Sequence, residues 1–167
     1  MIVMAPIRPT RQPASSRDSA SGRGRSGARE RRAALPADPR AVAEARHQVT
    51  AALRYWRLPV DADVAALCVS ELVTNAITHG GHAHGGRGGP AGGERARGDA
   101  DAIALTIRCA DGRLRVDVHD LSPEPPVLNG DASASAEGGR GLFLIDSLAA
   151  SWGSYRTPAG KAVFFTL

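Results

Sequence analysis

Three groups of residues in this sequence could do chemistry. The stretch SELVTNAITHG, Ser70 to Gly80, places Glu71, Asn75 and His79 at i, i+4 and i+8 inside an otherwise apolar run. At helical pitch the three side chains fall within about 80° of one another, in the same arc as Val64, Cys68 and Leu72. A second apolar arc, Ala66, Val69, Val73, Ala76 and Ile77, lies opposite, so the helix reads as buried on two faces. A buried carboxylate or amide without a partner costs about 1–3 kcal/mol. Two of them one turn apart, with a His beyond, therefore read as the lining of a pocket. There a carboxylate can act as a general base, and an amide oxygen can ligate a hard cation.

Asp120 is a second anomaly. It ends a stretch in which Leu114, Val116 and Val118 alternate with polar residues, and it falls in phase with the apolar set. An acceptor-only carboxylate facing a core needs a donor. It could cap the strand end by binding loop amides, or it could meet a base with an exocyclic amine. The third group is EGGRGLFLIDSL, where Gly138, Gly139 and Gly141 surround Arg140 ahead of a helix. Glycines let backbone amides approach an anion, a helix N-terminus favours negative charge, and an Arg fork matches phosphate oxygens. GGRGL itself fits neither G-x-x-x-x-G-K-[ST] nor a dinucleotide G-x-G-x-x-G after a strand. Base and metal ligand, amine acceptor and phosphate cradle together match a purine nucleoside triphosphate with Mg2+.

These residues need elements to hold them. Asp38-Pro39 reads as the start of a first helix, with Asp as N-cap and Pro at the first helical position. Val42, Ala45, Val49, Ala52, Leu53 and Trp56 form its apolar stripe, and Pro59 closes it. Asp61 or Asp63 caps the helix that carries Glu71 and Asn75, and Gly80 follows its end. Ile103, Leu105, Ile107 and Cys109 then alternate with polar or small residues, as do Leu114, Val116 and Val118. Asp111-Gly112 between them is a hairpin turn. A helix over 141–150 should turn Leu142, Ile145, Leu148 and Ala149 inward. GKAVFFTL reads as a third clear strand, and a short strand around Arg32–Leu35 would add to the sheet. The expected fold is an α+β two-layer sandwich, with helices on one face of a mostly antiparallel sheet. Residues 1–29 read as a disordered basic tail ahead of one domain, 30–167. Residues 80–101 read as a Gly-rich insertion.

Composition excludes several classes. The net charge of +4 is a property of the tail: residues 1–32 hold eight Arg against Asp18 and Glu30, and the remainder is slightly acidic. A nucleic-acid-binding domain would carry its basic patch on folded structure, so no direct nucleic-acid partner is expected. No apolar run approaches the ~20 residues of a membrane span, and the start lacks the apolar core of a secretory signal. A cytoplasmic protein without membrane contact is the expectation. Cys68 and Cys109 lie in apolar periodic segments and read as buried free thiols. His82 and His84 read as exposed side chains of the insertion, since no carboxylate completes a metal set with them.

ELVTNAITH resembles the N-box of the ATP-binding superfamily that holds histidine kinases, gyrase B, Hsp90 and MutL. VDVHDLSPEPP resembles its first glycine-box region, and GGRGLFLIDSLAASWG its second. Within that superfamily the chain resembles the anti-sigma regulatory factors and serine kinases typified by RsbW and SpoIIAB. More narrowly it is similar to the small ATP-binding regulators of Streptomyces and other actinomycetes. The likeness runs from about Arg31 to Leu167. It implies a Bergerat-type ATP-binding fold. It implies Glu71 as the catalytic base and Asn75 as the Mg2+ ligand. ATP contacts would come from Asn75, His79, Asp120, Ser122, Pro126, Gly139, Arg140, Gly141 and Leu142, and Asp120 would accept from the adenine amine. Residues 121–139 would be the lid over ATP. A sigma factor and an anti-sigma-factor antagonist of the STAS type would be the partners, and a homodimer stays open.

Three departures from the family pattern stand out. The first glycine box reads D-L-S-P-E-P-P, without the glycines of histidine kinases. The insertion at 80–101 is long. The last strand reads GKAVFF where relatives commonly carry Thr after GK, and Ala162 cannot supply that hydroxyl. Two functions follow. One is a serine/threonine protein kinase that phosphorylates the antagonist, and the other is a nucleotide-dependent binding regulator without phosphotransfer. A detached histidine-kinase domain fits less well, because no dimerisation helix with a phosphoacceptor His is present.

Overall fold

Two helices, then a hairpin, a short helix and a closing hairpin build the molecule, and a first strand at the edge completes its sheet. The computed structural model describes residues 28–80, 102–126 and 140–167. Residues 1–27 of the expected tail, 81–101 of the insertion and 127–139 of the expected lid lie outside the described residues, and Arg29, expected in the tail, instead begins the first strand. The strands are β1 (Arg29–Pro36), β2 (Ala102–Ala110), β3 (Arg113–Asp120), β4 (Ser151–Thr157) and β5 (Gly160–Thr166). They form one sheet in the order β1-β2-β3-β5-β4, and every neighbouring pair is antiparallel. Helices α1 (Arg40–Trp56), α2 (Ala62–His79) and α3 (Arg140–Leu148) complete the α+β sandwich.

Local chemistry sets the boundaries. Asp38 accepts from the Arg40 amide at 2.8 Å, so α1 begins one residue later than the Asp-Pro pair suggested, still under Asp38. It ends on Arg57 in the left-handed region, φ 53°, whose N–H returns to the Arg54 carbonyl. Asp61 caps α2 through the amides of Asp63 and Val64. Asp111 and Gly112, at φ 51° and 75°, make the tight β2–β3 turn that two positive φ values define.

The core lies between the helices and one face of the sheet. Ala45, Val49 and Leu53 of α1 and Val69, Leu72 and Val73 of α2 are buried against Ile103, Leu105, Ile107, Leu114, Val116 and Phe165 of the strands. α2 is buried through one continuous arc containing Ala65, Cys68, Val69, Leu72, Val73 and Ala76. The expectation of two opposed buried faces is therefore corrected. Val64, Glu71 and Asn75 sit half-buried at one margin of that arc. In α3, Leu142 and Ile145 are buried, but Leu148 is 39% exposed rather than inward.

β4 was not expected from sequence. Its segment SWGSYRT has no apolar alternation, and its place comes from full pairing with β5 and from Trp152 Nε1, which donates to Asp146 of α3 at 3.0 Å. The face of the sheet away from the helices holds Asp117, fully buried. Its carboxylate accepts from Arg108 at 2.8 Å, Arg115 at 2.8 Å and the Tyr155 hydroxyl at 3.2 Å. Arg115 also lies over the Phe164 ring at 3.7 Å.

Candidate functional site

α2 and α3 stand over the β3 and β5 end of the sheet and leave a cavity of about 280 Å3. α2 contributes Leu72, Asn75, Ala76 and His79, and β3 contributes Val118 and Asp120. The segment after β3 adds Ser122, Glu124, Pro125 and Pro126. Leu142 of α3 and Lys161 and Val163 of β5 close it. The mixture of apolar walls and a few convergent polar groups is that of a small-molecule site.

Asp120 forms the floor, with the residue only 5% exposed. Its Oδ1 accepts from the Ser122 amide at 2.9 Å and from Lys161 Nζ at 2.9 Å. The carboxylate thus does cap the strand end, as one reading of the sequence held, and it still lines the cavity. Ser122 Oγ in turn accepts from the Glu124 amide at 3.2 Å, which fixes the first turn of the segment beyond β3. The floor depends on close approach of β5. A Cβ on Gly160 would collide with the Asp120 carbonyl oxygen and lie 2.6–2.7 Å from Leu121 backbone atoms, so only glycine admits this crossing.

Of the residues expected at the site, Asn75, His79, Asp120, Ser122, Pro126 and Leu142 line the cavity. Glu71 does not line it. It is half-buried one turn before Asn75, and it packs on Gly141 at the start of α3, where any Cβ would collide with Glu71 Oε2. Arg140 opens α3, and Gly139 lies outside the described residues. Ala162 stands where the family pattern has a hydroxyl-bearing Thr. It pairs with His119 and, by strand alternation, faces away from the cavity. Lys161 is the residue paired with Asp120 across β3 and β5. Sequence reasoning passed over Lys161, although it is in phase with the inward Val163 and Phe165 and is the single Lys of the chain. Among the described residues no cluster of three or more His, Cys, Asp or Glu side chains forms a metal cage.

Below the site, Cys68 is a free, buried thiol whose pKa is pushed up to about 11 by burial and by the nearby Glu71 carboxylate. Cys109 is likewise free and buried. Neither has the exposed, electropositive setting of a nucleophilic thiol.

Residues 35–167 match the family described as histidine kinase-like ATPase domain, and the chain belongs to that family. An uncharacterized protein of Streptomyces coelicolor is 39% identical to it over 92 residues, a span covering 54% of this chain and 76% of that relative. Membership in the family implies ATP binding. Among the described residues no helix is long and apolar enough to cross a membrane.

Proposed function

We propose that this chain is an ATP- and Mg2+-binding regulator of the anti-sigma type. In this reading it is a serine/threonine protein kinase that phosphorylates an anti-sigma-factor antagonist and so controls a sigma factor in the cytoplasm. The observation that carries the reading is the placement of Glu71. Its carboxylate lies against the first turn of α3, the end of a helix that favours anions, while Asn75 and Asp120 line the adjoining cavity. A nucleotide with its base at Asp120 and its phosphates toward α3 would bring its terminal phosphate near Glu71. The acceptor hydroxyl would give its proton to Glu71 as its oxygen bonds to the γ-phosphorus and the bond to the ADP oxygen breaks. The Asn75 amide oxygen would hold Mg2+, which supplies neutralisation of phosphate charge.

A second reading is a nucleotide-dependent binding regulator without phosphotransfer. What favours it is that Glu71 itself does not line the cavity. Incubation with labelled ATP, Mg2+ and candidate antagonists separates the two. Glu71→Ala is expected to keep nucleotide binding and to slow single-turnover transfer by roughly 10²–10⁴-fold. Asn75→Ala is expected to lose both. Transfer by Glu71→Ala at the parent rate would make Glu71 structural. A parent chain that transfers nothing, yet binds its partner differently with ATP, would establish the second reading.

A further inference from the structure

Lys161 is 7% exposed and lines the cavity, and its ammonium touches Asp120 Oδ1 at 2.9 Å. The Ser122 amide donates to that same oxygen at 2.9 Å, so Oδ1 has both acceptor directions engaged. Oδ2 receives no hydrogen bond from the described residues. An ammonium carries three N–H donors, and Asp120 takes one of them in the described structure. The floor therefore offers a ligand one acceptor, Oδ2, directly beside one charged donor, Nζ. The complementary ligand edge has a donor next to an acceptor.

We propose that Lys161 is a second base-reading residue: its Nζ donates to ring N1 of an adenine whose 6-amino group donates to Asp120 Oδ2. The proposal rests on the reading of the cavity as the ATP site and adds the residue that reads the rest of the base edge. Adenine uses both groups of the floor and brings no further polar group to that edge. A guanine could set O6 on Lys161 and N1–H on Oδ2, but its 2-amino group would then need another acceptor, and leaving it unpaired in the cavity is costly. The Lys161 ammonium thereby does two things at once. It balances the buried Asp120 charge, and it fixes the face and direction in which the base enters.

The test is calorimetric titration of the full chain, with Mg2+, against ATP, 1-deaza-ATP (ring N1 replaced by C–H) and GTP. The expected result is that 1-deaza-ATP binds about 10- to 100-fold more weakly than ATP, the loss of one hydrogen bond from a charged donor. Lys161→Met should lower ATP affinity to the 1-deaza level and no longer separate the two ligands. If that variant does not fold, the comparison of ligands on the parent chain still decides. Equal affinity of the parent for ATP and 1-deaza-ATP, or discrimination that persists in Lys161→Met, overturns the role of Lys161 and leaves the ATP site standing. Tighter binding of GTP than of ATP overturns the assigned base edge. Absence of ATP binding by the parent overturns the ATP reading itself, and this inference with it.

Discussion

Asp120 and Lys161 are each under 8% exposed and are held 2.9 Å apart, so neither charge is solvated without the other. Breaking such a pair from one side costs more than removing both charges, because the survivor is left buried and uncompensated. Asp120→Asn should lose adenine-nucleotide affinity and also stability, by about 3–5 kcal/mol. Adding Lys161→Met to it should restore much of the stability and none of the affinity. Denaturant unfolding of the two singles and the double measures this, and additive losses would remove the coupling. Glu71 and Gly141 form a second coupled pair. Gly141→Ala forces the carboxylate off α3, whereas in a Glu71→Ala background the carboxylate is gone and the same methyl meets the Cβ of residue 71 at 3.3 Å, a tight contact but no collision. The Gly141→Ala penalty should therefore shrink by about 0.5–3 kcal/mol in that background. An unchanged penalty would show that Glu71 does not hold α3. The residues of the site differ in how far sequence exposed them. Asn75 and Asp120 were legible because a polar group in phase with apolar neighbours breaks a pattern. Lys161 breaks the pattern of its strand in the same way, but a Lys at a strand start next to Gly160 also reads as an ordinary exposed end, and only its pairing with Asp120 sets it inward.

At the scale of elements, periodicity carried α1, α2, β2, β3 and β5, whose apolar faces are the core itself. It failed for β4, where Ser151, Gly153, Ser154 and Arg156 offer no alternation, and pairing with β5 and the Trp152–Asp146 hydrogen bond define the strand. It also extended the apolar stripe of α3 one turn too far, to Leu148. β1 was legible only as Arg32–Leu35, yet its pairing with β2 starts at Arg29. Three Arg and one Glu at its exposed beginning also make this edge a poor template for a foreign strand. What joins the elements at the site is Gly160. A methyl there meets backbone that cannot swing aside, so Gly160→Ala must push β5 away from Asp120. The expected outcome is a stability loss of about 1–3 kcal/mol, the cost of overpacking, together with weaker nucleotide binding. Lost stability with intact binding would show that the floor tolerates the shift.

At the scale of the molecule, the sheet face away from the helices sets a dependence on pH. His119 is half-buried there, edge-on to Tyr155. Burial, opposed by Asp117 and Asp120 and aided by Arg108 and Arg32, holds its pKa below the ordinary value of 6.5. The unfolded chain therefore takes up this proton first as the pH falls. The contribution of His119 is full above about pH 6.5 and is lost as the pH drops through the folded value. Thermal unfolding from pH 7.5 to 5.5 should show a fall in Tm that is smaller in His119→Gln, and an identical fall in the variant would remove His119 as its source. The same sheet has a strand order that differs from the order of synthesis. β5 is the last of the described strands to be made, yet it lies between β3 and β4. β4 leaves the ribosome earlier and has no edge to join until β5 is laid against β3. Asp120 waits longer still, since its cation comes 41 residues behind it. A growing chain can gather α1, α2 and the first three strands around a common core while its binding floor is a lone carboxylate. The floor is thus completed only when β5 is laid down, and a chain interrupted before Lys161 would keep Asp120 without its cation.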